Sequence, residues 1–287
     1  MDSDPNLAPA LRVFLLGTGD AGCAMGRWLE GRGHRLIGAW NRSKQRAERA
    51  TEWLGRTVQH GQWTGVPPCD LVLVAVSDHA IEDAGALLRT GPCPAQVIAH
   101  LSGARPAMAL GDLPIPRASL HPLVAMREPA IARRALDQAL FTLEGDEDAL
   151  EFLEAHLSLR SQRIRADEKP RYHAAAVMAS NLVVALVAEA TEIAESIGLE
   201  GSEAALVELA AVALENVRAR GAARGLTGPV KRGDSAVLGA HLRALPGPSR
   251  QIYRGLSLRA LELAREAGLP PESANALKTL LVNDGAE

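Results

Sequence analysis

The sequence is poor in aromatic residues and has no large excess of charge of either sign. Phe, Trp and Tyr together make up 3% of the 287 residues, and 31 Lys and Arg against 34 Asp and Glu give a formal net charge of −3. Proteins that bind nucleic acid need a basic surface, and those that bind single strands also need aromatic side chains for stacking. The two shortages therefore argue against a nucleic-acid binder, and they leave alanine and the aliphatic residues to fill the core.

Cysteine is also scarce, since the chain has only Cys23, Cys69 and Cys93. Their odd number and their spacing fit neither a disulfide framework nor a metal site, and they are typical of reduced cytoplasmic thiols. The first ten residues lack the basic and apolar parts of a signal peptide. Glu189 and Glu192 interrupt the longest apolar helical pattern, which argues against a membrane span. We therefore expect a cytoplasmic protein with no membrane partner and no metal.

Two regions with different periodicity follow each other along the chain. Short apolar runs alternate with helical patterns up to about residue 145, which predicts a doubly wound parallel sheet with right-handed crossovers. After about residue 167 the pattern is mostly helical. The predicted strands are 12–17, 35–41, 70–78, 95–103 and 117–123, and the predicted long helices of the second region are 171–197, 203–220 and 249–267. We predict an α/β fold, with an N-terminal Rossmann domain in residues 1–165 and an all-helical C-terminal domain in residues 166–287.

A glycine-rich turn follows the first predicted strand. In "VFLLGTGDAG", Gly17, Gly19 and Gly22 have the G-x-G-x-x-G spacing between a strand and a helix. Gly17 permits the tight turn, Gly19 lets a pyrophosphate approach the backbone, and Gly22 lets the helix pack close to the strand. We therefore predict a dinucleotide site at this turn and at the neighbouring strand ends. Its predicted members are Gly17, Thr18, Gly19, Asp20, Ala21, Gly22, Asn41, Arg42, Ser43, Arg46, Val76 and Ser77.

The end of the second strand predicts which dinucleotide binds. NAD-binding proteins usually have an acidic residue here for the ribose hydroxyls, but this chain has "NRSKQR" in residues 41–46. Arg42, Ser43 and Arg46 suit the 2′-phosphate of NADP(H) through charge and hydrogen bonds. The alternative interpretation is a solvated basic helix start that binds no phosphate.

A series of motifs carries a family resemblance. It consists of "GTGDAG", "AVSD", "LSG", "SLHPL", "YHAAAVMASN" and "LTGPVKRGD". The series, from about Leu11 to Gly268, resembles an uncharacterised branch of the 6-phosphogluconate dehydrogenase-like superfamily, the Rossmann-like NADP oxidoreductases with a C-terminal domain of unknown function. The superfamily also includes β-hydroxyacid dehydrogenases, ketopantoate reductase and pyrroline-5-carboxylate reductase. The resemblance implies an NADP-dependent dehydrogenase or reductase that forms a homodimer through its helical domain.

Three residues are candidate proton donors. Reduction of a C=O or C=N group needs a proton as well as a hydride, and a His or Lys of suitable pKa can supply it. His173 is the first candidate. Lys169, which the resemblance implies as a donor, is the second, and His121 is the third. The structural alternatives are a packed or capping His173, a solvated helix end at Lys169, and a loop hydrogen bond from His121. Pro170 biases Lys169 away from helical geometry, so the prediction rests mainly on His173.

The candidate substrate-binding residues are Ser102, Gly103 and Asn181. Ser102 and Gly103 follow a strand, and ligands of open α/β sheets bind beyond the carboxyl ends of strands. Asn181 lies at the edge of the helix face that carries His173, if the helix is ideal. Asp78, which follows another strand, is expected to cap a helix rather than to act in catalysis.

The segment 225–234 is predicted to be a loop, with Asp234 capping the next helix. Lys231 or Arg232 in this loop could reach a substrate carboxylate, although a solvated connection is the simpler interpretation.

Two functions remain open from the sequence. The leading one is an NADPH-dependent oxidoreductase that reduces a small carbonyl or imine substrate by hydride transfer. The alternative is a non-catalytic NADP-binding module with a regulatory or sensor role. The histidines predicted in the cleft favour the enzyme, because a sensor needs no proton donor.

Overall fold

Eight strands form one sheet within residues 9–283, the part of the chain that the computed structural model describes. The strand order is β3-β2-β1-β4-β5-β6-β7-β8, and every neighbouring pair is parallel except β6 and β7. The predicted α/β class is therefore confirmed, with one antiparallel pair in an otherwise parallel sheet. The strands are β1 Arg12–Leu16, β2 Arg35–Asn41, β3 Gln59–His60, β4 Leu71–Val74, β5 Val97–His100, β6 Arg117–Pro122, β7 Phe141–Gly145 and β8 Ser161–Arg163.

Side chains of the central strands alternate between two core clusters. Val13 and Leu15 of β1 belong to the larger cluster, whereas Phe14 and Leu16 belong to the other. Because successive side chains of a strand point to opposite faces, both faces of the sheet are buried. The helices of this region are α1 Asp20–Gly31, α2 Lys44–Leu54, α3 Ile81–Arg89, α4 Pro129–Leu136, α5 Glu147–Leu157 and α6 Lys169–Ala179.

The helix that was predicted over residues 171–197 is two helices. α6 ends at Ala179 and α7 covers Asn181–Ser196, because Ser180 leaves helical geometry with φ −126° and ψ −80°. The Ser180 hydroxyl donates to the carbonyl of Ala176 at 2.7 Å, a bond of the kind that bends helices. The prediction of one continuous helix was therefore wrong.

The chain divides into two compact units after Ser180, not near residue 165. Helix α6 therefore lies in the first unit, and its first residue, Lys169, is only 1% exposed. Lys169 has helical geometry, φ −54° and ψ −42°, so the expected distortion by Pro170 does not occur. Pro170 lies in the first turn, where a helix has no hydrogen bond for it to break.

The second unit is helical throughout its described part. Its core contains Val230, Leu238, Leu242, Leu261 and Leu277. The helices are α7 Asn181–Ser196, α8 Glu203–Arg220, α9 Ala222–Gly225, α10 Gly228–Arg232, α11 Ser235–Ala244, α12 Gly247–Glu266 and α13 Pro271–Asn283.

The segment that was predicted as a loop contains the short helix α10. Pro229 stands in its first turn and Gly233 ends it in the left-handed conformation, which is the usual placement of these two residues at helix ends. The Asp234 side chain accepts from the Val237 amide at 3.1 Å, so the predicted cap is confirmed. Lys231 Nζ donates to the carbonyl of Ala267 at 3.0 Å.

Helices α7 and α8 leave their apolar side chains uncovered. Neither helix has a buried residue, and Val184 and Leu209 are 71% and 67% exposed. By length and composition alone, the helical stretch 166–196 would also be apolar enough to cross a membrane, and no residue of its apolar 18-residue window is buried. An exposed apolar surface of this kind marks a place where another surface binds.

Candidate active site

The three glycines of the turn after β1 have different surroundings. Gly17 has φ +95°, and a Cβ built there would lie 2.6 Å from the carbonyl oxygen of Ala75. A Cβ at Gly22 would lie 2.5 Å from the carbonyl oxygen of Gly17, but one at Gly19 would meet nothing within 4 Å. Gly17 and Gly22 are therefore required by packing. Gly19 stands open at the N-terminus of α1, where backbone amides and the helix dipole favour a phosphate.

The turn after β2 is joined to the glycine turn by a buried asparagine. Asn41 Nδ2 donates to Thr18 Oγ1 at 2.9 Å, and Asn41 Oδ1 accepts from the Ser43 amide at 2.9 Å. Ser43 in turn caps α2 by accepting from the Arg46 amide at 3.4 Å. Arg42 and Arg46 are exposed. The structure therefore brings the predicted cofactor residues of the two turns together, with the two guanidinium groups in solvent.

A cavity of about 930 Å³ adjoins the glycine turn. Besides Thr18, Gly19 and Asp20 it is lined by Arg46 and Arg49 of α2 and by Arg127 of the segment before α4. Arg49 lies 3.8 Å from the Asp20 carboxylate. The sequence did not single out Arg49 or Arg127. Arg49 is one helical turn from Arg46 and could have been found by this spacing, whereas no sequence signal connects Arg127 to the turn.

The turn after β4 completes this edge of the sheet. Val76 lies against Gly17, and Ser77 Oγ is 3.2 Å from His79 Nε2. Asp78 is the first residue of a short 3-10 helix, Asp78–Ala80, that has no side-chain cap. The expectation that Asp78 caps a helix was therefore wrong.

Lys169 lies in the interior of the first unit. Its Nζ donates to Ser119 Oγ at 2.6 Å and to the carbonyl of Ser102 at 3.2 Å, and Ser119 Oγ donates to the same carbonyl at 2.9 Å. Burial lowers the pKa of Lys169 to about 8, while the negative charges of Glu144 and Asp78 act in the opposite direction. Lys169 is therefore not a solvated helix end.

His121 and His173 meet at Gly103. The two rings are 6.3 Å apart between centroids at 78°, and a Cβ at Gly103 would lie 2.9 Å from both His121 Nε2 and His173 Nδ1. His173 Nδ1 has no hydrogen-bond partner among the described residues. The two imidazoles and Gly103, which the sequence predicted as site residues from three separate segments, thus form one cluster, which also contains Tyr172.

Tyr172 is a further member of this cluster. Its hydroxyl lies 2.6 Å from His121 Nδ1, and the two rings are nearly perpendicular at 82°. Burial is the main reason why the pKa of His121 falls to about 4, and the positive charges of Lys169 and His173 lower it further. His121 is therefore neutral near pH 7, when only one of its nitrogens carries a proton.

Ser102 uses its side chain within its own loop. Its Oγ accepts from the amides of Ala104 and Arg105 at 3.2 and 3.0 Å, and the residue is buried. His100 fixes the same loop, since its Nδ1 accepts from the Ser102 amide and its Nε2 donates to the Pro106 carbonyl, both at 3.1 Å. Sequence reasoning assigned no role to His100.

Two residues of β7 lie opposite the site residues of β6. Ser119 and His121 alternate with residues of the larger core cluster along β6, and across the antiparallel pair they face Glu144 and Thr142 of β7. The period of two in "SLH" could have predicted that Ser119 shares a face with His121. Asn181 belongs to the second unit, so its part in the site stays a prediction.

Comparison with known proteins supports the fold. Residues 139–260 match a family described as a domain of unknown function, DUF2520. No protein in the set of curated proteins matches the sequence.

Among solved structures, protein TM1727 from Thermotoga maritima is 28% identical, with a TM-score of 0.72 over 89% of this chain and 99% of that chain. A candidate NADP oxidoreductase, BF3122 from Bacteroides fragilis, is 20% identical, with a TM-score of 0.69 over 88% and 98%. A reductive aminase from Aspergillus terreus in complex with NADPH is 17% identical, with a TM-score of 0.53 over 96% and 95%. The chain therefore has the fold of the Rossmann-like NADP oxidoreductase superfamily.

The buried histidines predict a pH dependence of stability. Burial lowers the pKa of His100 from 6.5 to about 4, so as the pH falls through this window the unfolded chain takes up a proton that the folded chain does not. We expect the free energy of unfolding of the wild type to decrease from pH 6.5 towards 4, by about 1.4 kcal/mol per pH unit for each such histidine.

Urea denaturation at several pH values measures this slope. His100→Gln removes one of the histidines whose pKa is lowered, so the slope of its free energy of unfolding is expected to be shallower by about 1.4 kcal/mol per pH unit, the effect of one proton. Equal slopes in wild type and variant would show that His100 is not the source.

Proposed function

We propose that the protein is an NADPH-dependent oxidoreductase that reduces a small carbonyl or imine substrate by hydride transfer. The observation that carries this proposal is the pairing of two features at the carboxyl ends of the parallel strands. One is the open backbone at Gly19 on the N-terminus of α1. The other is the cluster of Gly103 in the loop after β5, His121 near the end of β6 and His173 of α6.

The residues of the glycine turn fit a dinucleotide. Gly19 has no neighbouring atom where a side chain would stand, so the pyrophosphate could approach the α1 amides, and Arg42, Ser43 and Arg46 would hold a 2′-phosphate. When bound, NADPH would supply the hydride. His121, which is neutral near pH 7, would orient the reacting carbonyl or imine group by a hydrogen bond, and His173 would deliver the proton to its heteroatom.

Lys169 has a different part in this proposal. Its ammonium group is enclosed by Ser119 and the Ser102 carbonyl, so it holds the loop that carries Gly103 instead of contacting the substrate. The same enclosure is the observation that favours the alternative, a non-catalytic NADP-binding sensor, because the proton donor that the resemblance implied is out of reach of a substrate.

All three cysteines are free in the structure, in keeping with the proposed cytoplasmic location.

Substitution of Gly19 tests the cofactor site. Gly19→Ala is expected to fold like the wild type, because Gly19 has extended backbone and open space around it, but to bind NADPH at least about tenfold more weakly because its methyl group blocks the phosphate. Fluorescence titration with NADPH measures binding, and thermal unfolding verifies the fold.

Gly17→Ala is the comparison variant, since its strained backbone and close contacts predict a loss of stability. NADPH binding by Gly19→Ala as tight as that of the wild type would contradict the site. NADH binding as tight as NADPH binding in the wild type would contradict the preference for NADP.

Turnover tests the reaction. We expect NADPH oxidation with at least one member of a panel of 2-oxo acids, β-keto compounds and cyclic imines, and a fall in kcat of about 100-fold in His121→Ala and His173→Ala. Absorbance at the nicotinamide band follows the reaction, and NADPH titration shows whether the variants still bind cofactor. Tight NADPH binding without turnover on the panel would favour the sensor, and unchanged rates in both variants would remove the histidines from the mechanism.

We also propose a homodimer through the helical unit. The support is the uncovered apolar surface of α7 and α8, which include Val184 and Leu209. A second copy of the same surface would bury these side chains, and burial of apolar area is the main driving force for such association.

A charge placed on this surface tests the dimer. Leu209→Glu is expected to convert a dimer into a monomer in sedimentation or light scattering, because a carboxylate would have to be buried in the interface. Ile131→Glu is the matched control, since Ile131 is equally exposed but lies on α4 of the first unit. A monomeric wild type would contradict the proposal.

A further inference from the structure

Tyr172 was not among the predicted site residues, yet it makes the closest contact to His121. The phenol oxygen lies 2.6 Å from His121 Nδ1. Burial raises the pKa of Tyr172, so its hydroxyl carries a proton at neutral pH and is able to donate it to an acceptor. His121, being neutral near pH 7, has one nitrogen that donates and one that accepts.

Thr142 indicates which way these hydrogen bonds run. It faces His121 across the β6–β7 pair, and its buried hydroxyl has no partner of good geometry among the described residues. The same hydroxyl lies close enough to Tyr172 to act on its pKa, against the larger effect of burial. If Thr142 donates a hydrogen bond to the phenol oxygen, the phenol hydroxyl can donate its own proton to His121 Nδ1. Nδ1 is then the acceptor, so the imidazole proton must be on Nε2.

The free side of the imidazole faces Gly103. His121 Nε2 lies 2.9 Å from the position of a Gly103 Cβ, and His173 Nδ1 lies at the same distance from it. Because residue 103 is a glycine, both imidazoles can pack directly against the backbone of this loop. A proton on Nε2 would make His121 a hydrogen-bond donor to a carbonyl oxygen or to an unprotonated imine nitrogen.

We propose that Tyr172 is a positioning residue that holds His121 in the Nε2-protonated tautomer, and so presents a hydrogen-bond donor to the reacting group beside Gly103. This inference rests on the proposed reductase function for its use, but not for the tautomer itself. The charged or titratable groups that act on His121 are Lys169 and His173 of α6, Asp78 of the turn after β4, and His100 of β5. Tyr172 is the one that hydrogen-bonds the ring directly.

Nitrogen NMR of the full-length protein tests the tautomer. In protein labelled with ¹⁵N-histidine, long-range proton–nitrogen spectra at pH 7 should show His121 with Nε2 protonated and Nδ1 unprotonated. The signals of His121 are assigned by their loss in His121→Gln. In Tyr172→Phe the signals should shift towards a mixture of both tautomers. The titration midpoint of His121 should rise, because a hydrogen bond to the neutral ring has been removed.

The chain offers a matched control. Tyr253 makes the same kind of contact with another histidine, 2.8 Å from its hydroxyl to His241 Nδ1 with the rings at 87°. Tyr253→Phe removes one phenol hydroxyl of the same type from the second unit, and it should leave the His121 signals unchanged. A shift of His121 in both variants would show a general effect of losing a tyrosine hydroxyl and would overturn the proposal.

The remaining outcomes separate the tautomer from the function. Two NMR results would overturn the role of Tyr172. One is a wild-type His121 that is protonated on Nδ1, and this result can be obtained even if Tyr172→Phe folds poorly. The other is a His121 tautomer that is the same in the wild type and in Tyr172→Phe. With an active substrate, Tyr172→Phe should lower kcat about tenfold with NADPH binding unchanged, and an unchanged kcat would also overturn the role. If no substrate on the panel turns over while the NMR result holds, the reductase function fails and the tautomer assignment stands.

Discussion

The arrangement of the candidate site depends on one buried ammonium group. Lys169 Nζ joins the first turn of α6 to Ser119 of β6 and to the Ser102 carbonyl of the loop after β5. A charge removed from water is costly unless it is paired and hydrogen-bonded, and here two oxygen acceptors and the negative charge of Glu144 offset that cost. Because α6 is fixed at its first residue, Tyr172 and His173 one turn later are brought to the loop that contains Gly103.

A second constraint comes from glycine. At Gly17 and Gly22 a side chain would collide with backbone, and at Gly103 it would collide with two imidazoles. The first two positions let the turn and α1 form at all. The third lets His121 and His173 pack directly against the backbone of the loop after β5, and so allows the two imidazoles to lie together.

The fold and the cofactor turn were predictable because their signals are local. A strand, a G-x-G-x-x-G turn and a helix follow one another within residues 12–31, and the apolar alternation of the other strands needs no knowledge of distant contacts. His121, Gly103 and His173 could be named from their places after strands and at a helix start. The sequence could not show that these three residues lie in contact, because that contact depends on the register of β6 against its neighbours and on where α6 packs.

What the sequence concealed were the contacts between distant segments. Nothing in "EKPRYHAAAVMASN" indicates that Lys169 turns inward, and Pro170 suggested the contrary, since a local steric preference was outweighed by the hydrogen bonds and burial of one side chain. The pairing of Thr142 with His121 requires an antiparallel strand in a sheet that was predicted to be parallel. The break at Ser180 is equally hidden, because serine is tolerated inside many helices.

The extent of the family match has a consequence for how the chain can be cut. Residues 139–260 begin just before β7, so the matched segment takes β7 and β8 but leaves behind β6, the strand to which β7 is hydrogen-bonded. A fragment with those limits would present an unpaired strand edge, which invites pairing with other chains. Cleavage after Ser180 would separate none of the strand pairs found in residues 9–283. The matched segment and the two compact units therefore have different limits, and α6 lies in the part that the matched segment shares with the first unit.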